Sequence, residues 1–144
     1  MRVLLVHPGP AFSVQDVYDG WAEGFEALGH EVQHYNTGDR LTWGGIAHLA
    51  KDDGTFIRAF EKQDDIYSFA MSGLSRSAFY FWPDLVVFVS GFILDRQFLE
   101  VCRSRGMKTA CIFTESPYED TRQLGAAQHF DVVALNDPTN LAQF

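Results

Sequence analysis

Apolar residues fall along this chain in two alternating rhythms. Arg2–His7 holds the unbroken run Val3, Leu4, Leu5, Val6, and a continuous run suits a central parallel strand covered on both faces. Val14, Val17, Tyr18, Trp21, Phe25 and Leu28 then recur at spacings of three and four, the stripe of a helix packed on a sheet. Ser13 with Asp16 three residues on opens that helix like a capping box, Asp16 and Asp19 complement the positive end of its dipole, and Gly29 supplies its stop. Residues 31–35 alternate polar and apolar side chains, the pattern of an edge strand.

The second half repeats the scheme. Leu85–Val89 is another continuous apolar run and ends in Ser90 and Gly91; residues 95–105 predict a short helix with Phe98, Leu99 and Cys102 inward and Gly106 as its stop. A buried strand over 109–113, a helix over 121–128 and a fifth strand over Val132–Leu135 follow. Between the halves, Gly38, Gly44, Gly45 and Gly54 predict a long loop. From Thr55 on, Phe56, Ile57, Phe60, Ile66, Tyr67, Phe69 and Ala70 resume a helical spacing, which Ser72 and Gly73 break or kink before the aromatic cluster Phe79, Tyr80, Phe81, Trp82. Long structureless segments are rare in compact domains, so 36–83 is expected to hold at least one helix.

Strand and helix in alternation require a parallel sheet with right-handed crossovers and helices on both faces. The expectation is a doubly wound, Rossmann-like α/β domain of three layers, its five strands in the order 2-1-3-4-5. That order puts the topological switch point, where ligands bind, between the first and third strands. The residues beyond those strand ends are 8–13 and 90–94, with Glu115 and Ser116 one strand further along.

Composition narrows the function more than the fold. At 144 residues with 47% apolar side chains and 13 phenylalanines, the chain has a core's worth of hydrophobic material for one domain and is not disordered. Eleven basic residues against 19 acidic ones give a net charge of −8, which opposes general nucleic-acid binding through the phosphate backbone. No apolar stretch reaches the ~20 residues that span a bilayer, and no signal-peptide pattern precedes the first strand; the expected location is cytoplasmic. Cys102 and Cys111 read as buried free thiols. His30, His34, His48 and His129 share no metal spacing, so neither a metal nor a cofactor is expected. Asp52-Asp53 and Asp64-Asp65 read as solvated surface.

Several doubly wound functions fail at the strand ends. The phosphate loop G-x-x-x-x-G-K-[ST] is absent, and His7-Pro8-Gly9-Pro10 lacks the G-x-G-x-x-G spacing of a dinucleotide site. A receiver domain needs acidic residues where this chain has His7, Ser90 and Asn136 after strands one, three and five; a flavodoxin needs a Ser/Thr-rich loop where two prolines stand. No Asp-x-Asp triplet is present to chelate a metal-bound nucleotide sugar.

The ordered set VLLVHPGPAFS, ALGHEV, HYN, PDLVVFVSG, GMKTACIF, TESPYED and FDVVALND followed by PTNL resembles the N-terminal half of GT-B glycosyltransferases, the CgeB-like group in particular, over nearly all of the chain except 36–83. The resemblance implies an acceptor-side domain, residues 1–144, of an enzyme that moves a sugar from a nucleotide-activated donor to an unidentified acceptor. It also implies that a second domain holds most of the donor. Pro138 opens a helix with Leu141 and Phe144 at i and i+3, which is expected to continue beyond the chain and marks it as half of such a pair. A stand-alone ligand- or protein-binding module without catalysis is the alternative.

Each candidate residue has a chemical and a structural reading. His7, at a strand end, has a side chain that titrates near neutrality and suits deprotonation of an acceptor hydroxyl; it equally suits a hydrogen bond to the neighbouring loop. Glu115 is the second candidate catalytic group, a base or sugar-hydroxyl ligand, or else a cap for the helix near Thr121 or a partner of Arg122. Gly9 and Ser13 would bring backbone amides and a helix N-terminus to the substrate, or only shape the turn. Ser90, Gly91 and Ser116 complete the candidate substrate-binding set, with a tight strand-to-helix turn as the competing role at Ser90 and Gly91. Asn136 and Asp137 are expected to cap the last helix.

Overall fold

The structure is a computed structural model that describes residues 1–7, 9, 14–91 and 95–144. Five strands, β1 (Arg2–His7), β2 (Glu31–Asn36), β5 (Leu85–Val89), β6 (Lys108–Phe113) and β7 (Val132–Leu135), form one parallel sheet in the order β2-β1-β5-β6-β7. This is the order expected of the five main strands. The continuous runs lie inside, Val3, Leu4 and Leu5 being fully buried, and the alternating β2 is at the edge.

The pleat divides the core in two. Val3, Leu5, Val87, Val89 and Ile112 pack beneath helix α1 (Gln15–Ala27) through Val14, Tyr18 and Ala22. Leu4, Val6, Tyr35, Val86, Phe88, Cys111 and Phe113 face the other way, against α3 (Gln63–Phe81) and α4 (Arg96–Ser104). Ala126 and Ala127 at the end of α5 (Asp120–Ala127) and Phe130 just beyond it complete that second layer. Helices on both faces of a parallel sheet give the doubly wound, Rossmann-like arrangement. Among the described residues α1 alone packs over its face, so Ala134 on that side is half-covered and Val132 is exposed.

Three local expectations need correction. The stripe of α1 is narrower than its spacing suggested: Trp21 and Leu28 are exposed, and Val14 occupies the N-cap without a side-chain cap, while Ser13 lies outside the described residues. The glycine-rich stretch expected to be a long loop is instead helix α2 (Thr37–Ile46), capped by the Asn36 side chain at the Asp39 N–H, 3.0 Å away, followed by a small antiparallel hairpin of β3 (His48–Ala50) and β4 (Phe56–Arg58). Gly44 sits where a Cβ would meet Ile66 Cγ2 of α3 at 2.7 Å, so it permits a close crossing of two helices. Nor does α3 break at Ser72-Gly73; it runs unbroken through both, because Gly73 makes room for the buried Tyr35 ring, whose hydroxyl donates to the Ala70 carbonyl. The segment 36–83 holds two helices where at least one was expected.

Other boundaries agree closely. Asp95 caps α4 by accepting from Gln97 N at 2.9 Å, and Asp137 caps the closing turn, Pro138–Gln143, by accepting from Thr139 N and Oγ1 at 2.8 and 2.6 Å. That closing turn is a 3₁₀ helix. Cys102 and Cys111 are buried and unpaired, and burial pushes the Cys102 thiol up to about 11 and the Cys111 thiol higher still.

Asp131 ties β6 to the start of β7. It accepts from Thr109 N at 2.8 Å and Thr109 Oγ1 at 2.9 Å and lies 3.5 Å from Lys108 Nζ. These contacts, the Thr109 backbone N–H first, hold its carboxyl below the ordinary value. A depressed carboxyl stabilises the fold above its unfolded pKa of about 3.9 and loses that contribution as the pH falls through the lower folded value. Asp131→Asn is therefore expected to lower Tm at neutral pH, with the gap narrowing below about pH 3.9. A gap constant down to strong acid would show that its charge contributes nothing.

Candidate functional site

The C-terminal edge of the sheet carries a hydrogen-bonded relay at its first strand. His7 is 3% exposed. Its Nδ1 accepts from the Gly9 backbone N–H at 3.3 Å, which leaves Nε2 to carry the proton and donate to Gln15 Oε1 at 3.0 Å. Gln15 Nε2 in turn donates to Asp19 Oδ1 at 2.7 Å, so the carboxylate fixes the amide, and the amide fixes the imidazole. Tyr18 packs edge-on against the ring at 4.6 Å between centroids. Its own phenol, 2.7 Å from His34 Nδ1, is pushed up to about 12 by burial and by the charge of Asp19. With both nitrogens engaged and no exposed edge, His7 ties Gly9 to Gln15 at the start of α1.

β5 ends in two successive left-handed residues, Ser90 at φ 72° and Gly91 at φ 68°. Ser90 is buried, and its N–H donates to the Ile112 carbonyl at 2.7 Å, extending the β5–β6 ladder past the strand end. A non-glycine residue in this region stores about 1–3 kcal/mol of strain, held here by that hydrogen bond. Gly91 is a steric necessity as well, since a Cβ there would run into Cys111 Sγ. It lines a cleft between α4 and α5 with Arg96, Thr121, Arg122 and His129.

Glu115 opens onto a different cavity. Between the N-terminal half of α1 and the half-covered face of β6 and β7 lies a cleft of about 400 Å³. Its floor is Ile112 and Ala134, one wall is Trp21 with Val14 and Val17, and its polar rim is Asp16, Thr114, Glu115 and Asn136. Glu115 is half-buried; among the described residues its carboxylate accepts a single long contact, from Thr114 Oγ1 at 3.4 Å, and its carbonyl receives the Glu119 N–H at 3.0 Å. The N-cap of α5 is Glu119, so Glu115 does not cap that helix.

Ser116 is consumed by structure. Its hydroxyl donates to Asp120 Oδ1 at 2.7 Å and accepts from Asn140 Nδ2 at 2.9 Å, while its carbonyl accepts from Asn136 Nδ2 at 3.1 Å. Together these bonds tie the loop after β6, the start of α5 and the closing turn, and they give Asn136 a bridging task in place of a capping one. The seven sequence candidates thus share the C-terminal edge only in part. His7, Gly9, Ser90 and Ser116 are buried, Gly91 and Glu115 face separate clefts, and Ser13 lies outside the described residues.

Asp16 and Trp21 also line the Glu115 cleft, and the sequence does not single them out as site residues. Their signals were present, but Asp16 reads as a dipole charge and Trp21 as core, and only the narrowness of α1's buried stripe turns both toward the cleft.

No family model, curated protein or solved structure matches this chain. Among the described residues no cluster of His, Cys, Asp and Glu could hold a metal ion, and no helix is long and apolar enough to cross a membrane.

Proposed function

We propose that the chain is the acceptor-side domain of a cytoplasmic, GT-B-type glycosyltransferase, with the Glu115 cleft as its acceptor wall. The observation that carries this reading is the pairing of a lightly hydrogen-bonded carboxylate with an exposed indole across one cleft at the C-terminal edge of the sheet. A sugar offers a C–H face that rests on an aromatic ring and hydroxyls that carboxylates and amides bind. Glu115 would accept a proton from such a hydroxyl, with Asp16 and Asn136 to orient it, while His7 is tied to Gln15 at the start of α1. Among the described residues no basic side chain lines this cleft, so an anionic nucleotide-sugar donor finds no countercharge among them, in keeping with donor capture by another domain.

A binding module without catalysis is the second reading. It is favoured by the partial cover on this face of β6 and β7, where a partner element would also find an apolar surface.

The two readings differ in a titration of the purified chain with neutral saccharides and nucleoside diphosphate sugars. The glycosyltransferase reading expects saccharide binding that weakens about tenfold in Glu115→Gln, from loss of a charged hydrogen-bond acceptor. It also expects no donor bound in the cleft and no transfer by these 144 residues alone. Turnover by the chain, or a complete lack of saccharide binding, contradicts it.

A further inference from the structure

A second cleft lies away from the Glu115 cavity, at the β2 edge of the sheet, between β2, α2 and α3. It measures about 500 Å³ and is lined by Gln33, Arg40, Phe69, Arg76, Ser77 and Tyr80, among others. We infer that it is a binding site for the phosphoryl group of a small phosphate monoester, held by Arg40 from α2 and Arg76 from α3; the inference goes beyond the acceptor reading and does not depend on it.

The geometry comes from the sequence in three steps. α3 buries Ala70, Leu74, Ala78 and Phe81 against the sheet, which leaves a second stripe, Phe69, Gly73, Arg76 and Tyr80, spaced by four, three and four on its flank. In β2, Gln33 pairs with Leu4 and Tyr35 with Val6, so both point to the α3 side of the sheet. Gly73 admits the Tyr35 ring beneath the cleft, and that ring supports Arg40, whose guanidinium carbon stands 5.8 Å from its centroid. Arg76 is held in the same way, 5.3 Å from the Tyr80 centroid.

Charge then selects the ligand. The chain carries 19 acidic residues against 11 basic ones, and yet, among the described residues, neither Arg40 nor Arg76 has a carboxylate at ion-pair distance. A carboxylate, Asp39, lines the adjoining groove together with Arg40 and Trp43. Guanidinium groups laid on aromatic rings keep their N–H edges free and aimed, and a planar fork of N–H donors matches the oxygens of phosphate. Gln33, Ser72 and Ser77 add neutral donors, while Phe69 and Tyr80 give an apolar wall for the organic part of the ester. The Glu115 cleft lacks the guanidinium pair; among the described residues it is lined by two carboxylates and no cation.

The test is residue-resolved NMR of the full chain with inorganic phosphate, with a nucleoside monophosphate and with the uncharged nucleoside. Phosphate is expected to move the Arg40 and Arg76 side-chain resonances and the amides of Gly73 and Ser77, and the monophosphate to bind more tightly than phosphate. The nucleoside alone is expected to move none of them. Arg76→Gln and Arg40→Gln, at exposed positions, are each expected to weaken phosphate binding about tenfold while leaving the rest of the amide spectrum folded. Arg58→Gln, on the exposed hairpin, is expected to leave it unchanged. Shifts absent from the cleft, or an equal loss in Arg58→Gln, would overturn the inference. If inorganic phosphate binds but the monophosphate binds no better, the wall of Phe69 and Tyr80 takes no ligand and the monoester assignment fails.

Discussion

Gly91→Ala is expected to remove a large share of the domain's stability with a single methyl group. At φ 68° an L side chain costs about 1–2 kcal/mol, and the new Cβ would be driven into the sulfur of Cys111, which is fully buried in the core beside Phe113. Overpacking of a dense core costs about 1–3 kcal/mol more. The expected loss of about 2–5 kcal/mol is a substantial part of the roughly 5–15 kcal/mol that holds a domain together. Urea denaturation measures it as a fall in midpoint at constant slope. Adding Cys111→Ala is expected to return part of the loss, because it relieves the collision and leaves the backbone strain. A Gly91→Ala variant as stable as the parent would show that the β5 turn is not held as described.

His7→Ala is expected to act on stability for a related reason. The ring is enclosed, packs on Tyr18, accepts the buried Gly9 N–H and donates to Gln15. Truncation leaves a cavity and an unpaired backbone donor, about 3–5 kcal/mol together, or a drop in Tm on the order of 10 °C for a chain of this size. Glu115→Gln touches one long hydrogen bond on a half-exposed side chain and is expected within about 0.5 kcal/mol of the parent. Thermal unfolding of the two variants side by side therefore separates a side chain that holds the fold from one that does not. A His7→Ala protein that melts with the parent would return the imidazole to the list of groups free to meet substrate.

How far the sequence carried the fold depended on whether the cause was local. Val3 to Val6 and Leu85 to Val89 announce central strands by themselves, and Asp95, Asp137 and Gly29 mark helix ends within a residue or so. Gly44 and Gly73 misled because a glycine that breaks a helix and one that lets another element approach look alike in sequence; Ile66 lies 22 positions from Gly44, and Tyr35 lies 38 from Gly73. Among site residues, Glu115 was legible from its place after a strand. The engagement of His7 was not, since it turns on a glutamine eight residues on and an aspartate beyond that. Arg40 and Arg76 were illegible as a pair, because only the fold of the segment 36–83 brings them to one cleft.

The account's central claim, that the cleft between α1 and the β6–β7 face receives a sugar acceptor, is tested most directly by two-dimensional NMR of the labelled chain during titration with a panel of neutral oligosaccharides. The expected result is movement of the Trp21 indole N–H and of the Thr114, Glu115 and Asn136 amides by at least one saccharide, the movement of the three amides being abolished in Trp21→Ala and weakened in Glu115→Gln. If every saccharide leaves those four resonances in place, or moves the three amides as far in both variants as in the parent, the cleft is not an acceptor site.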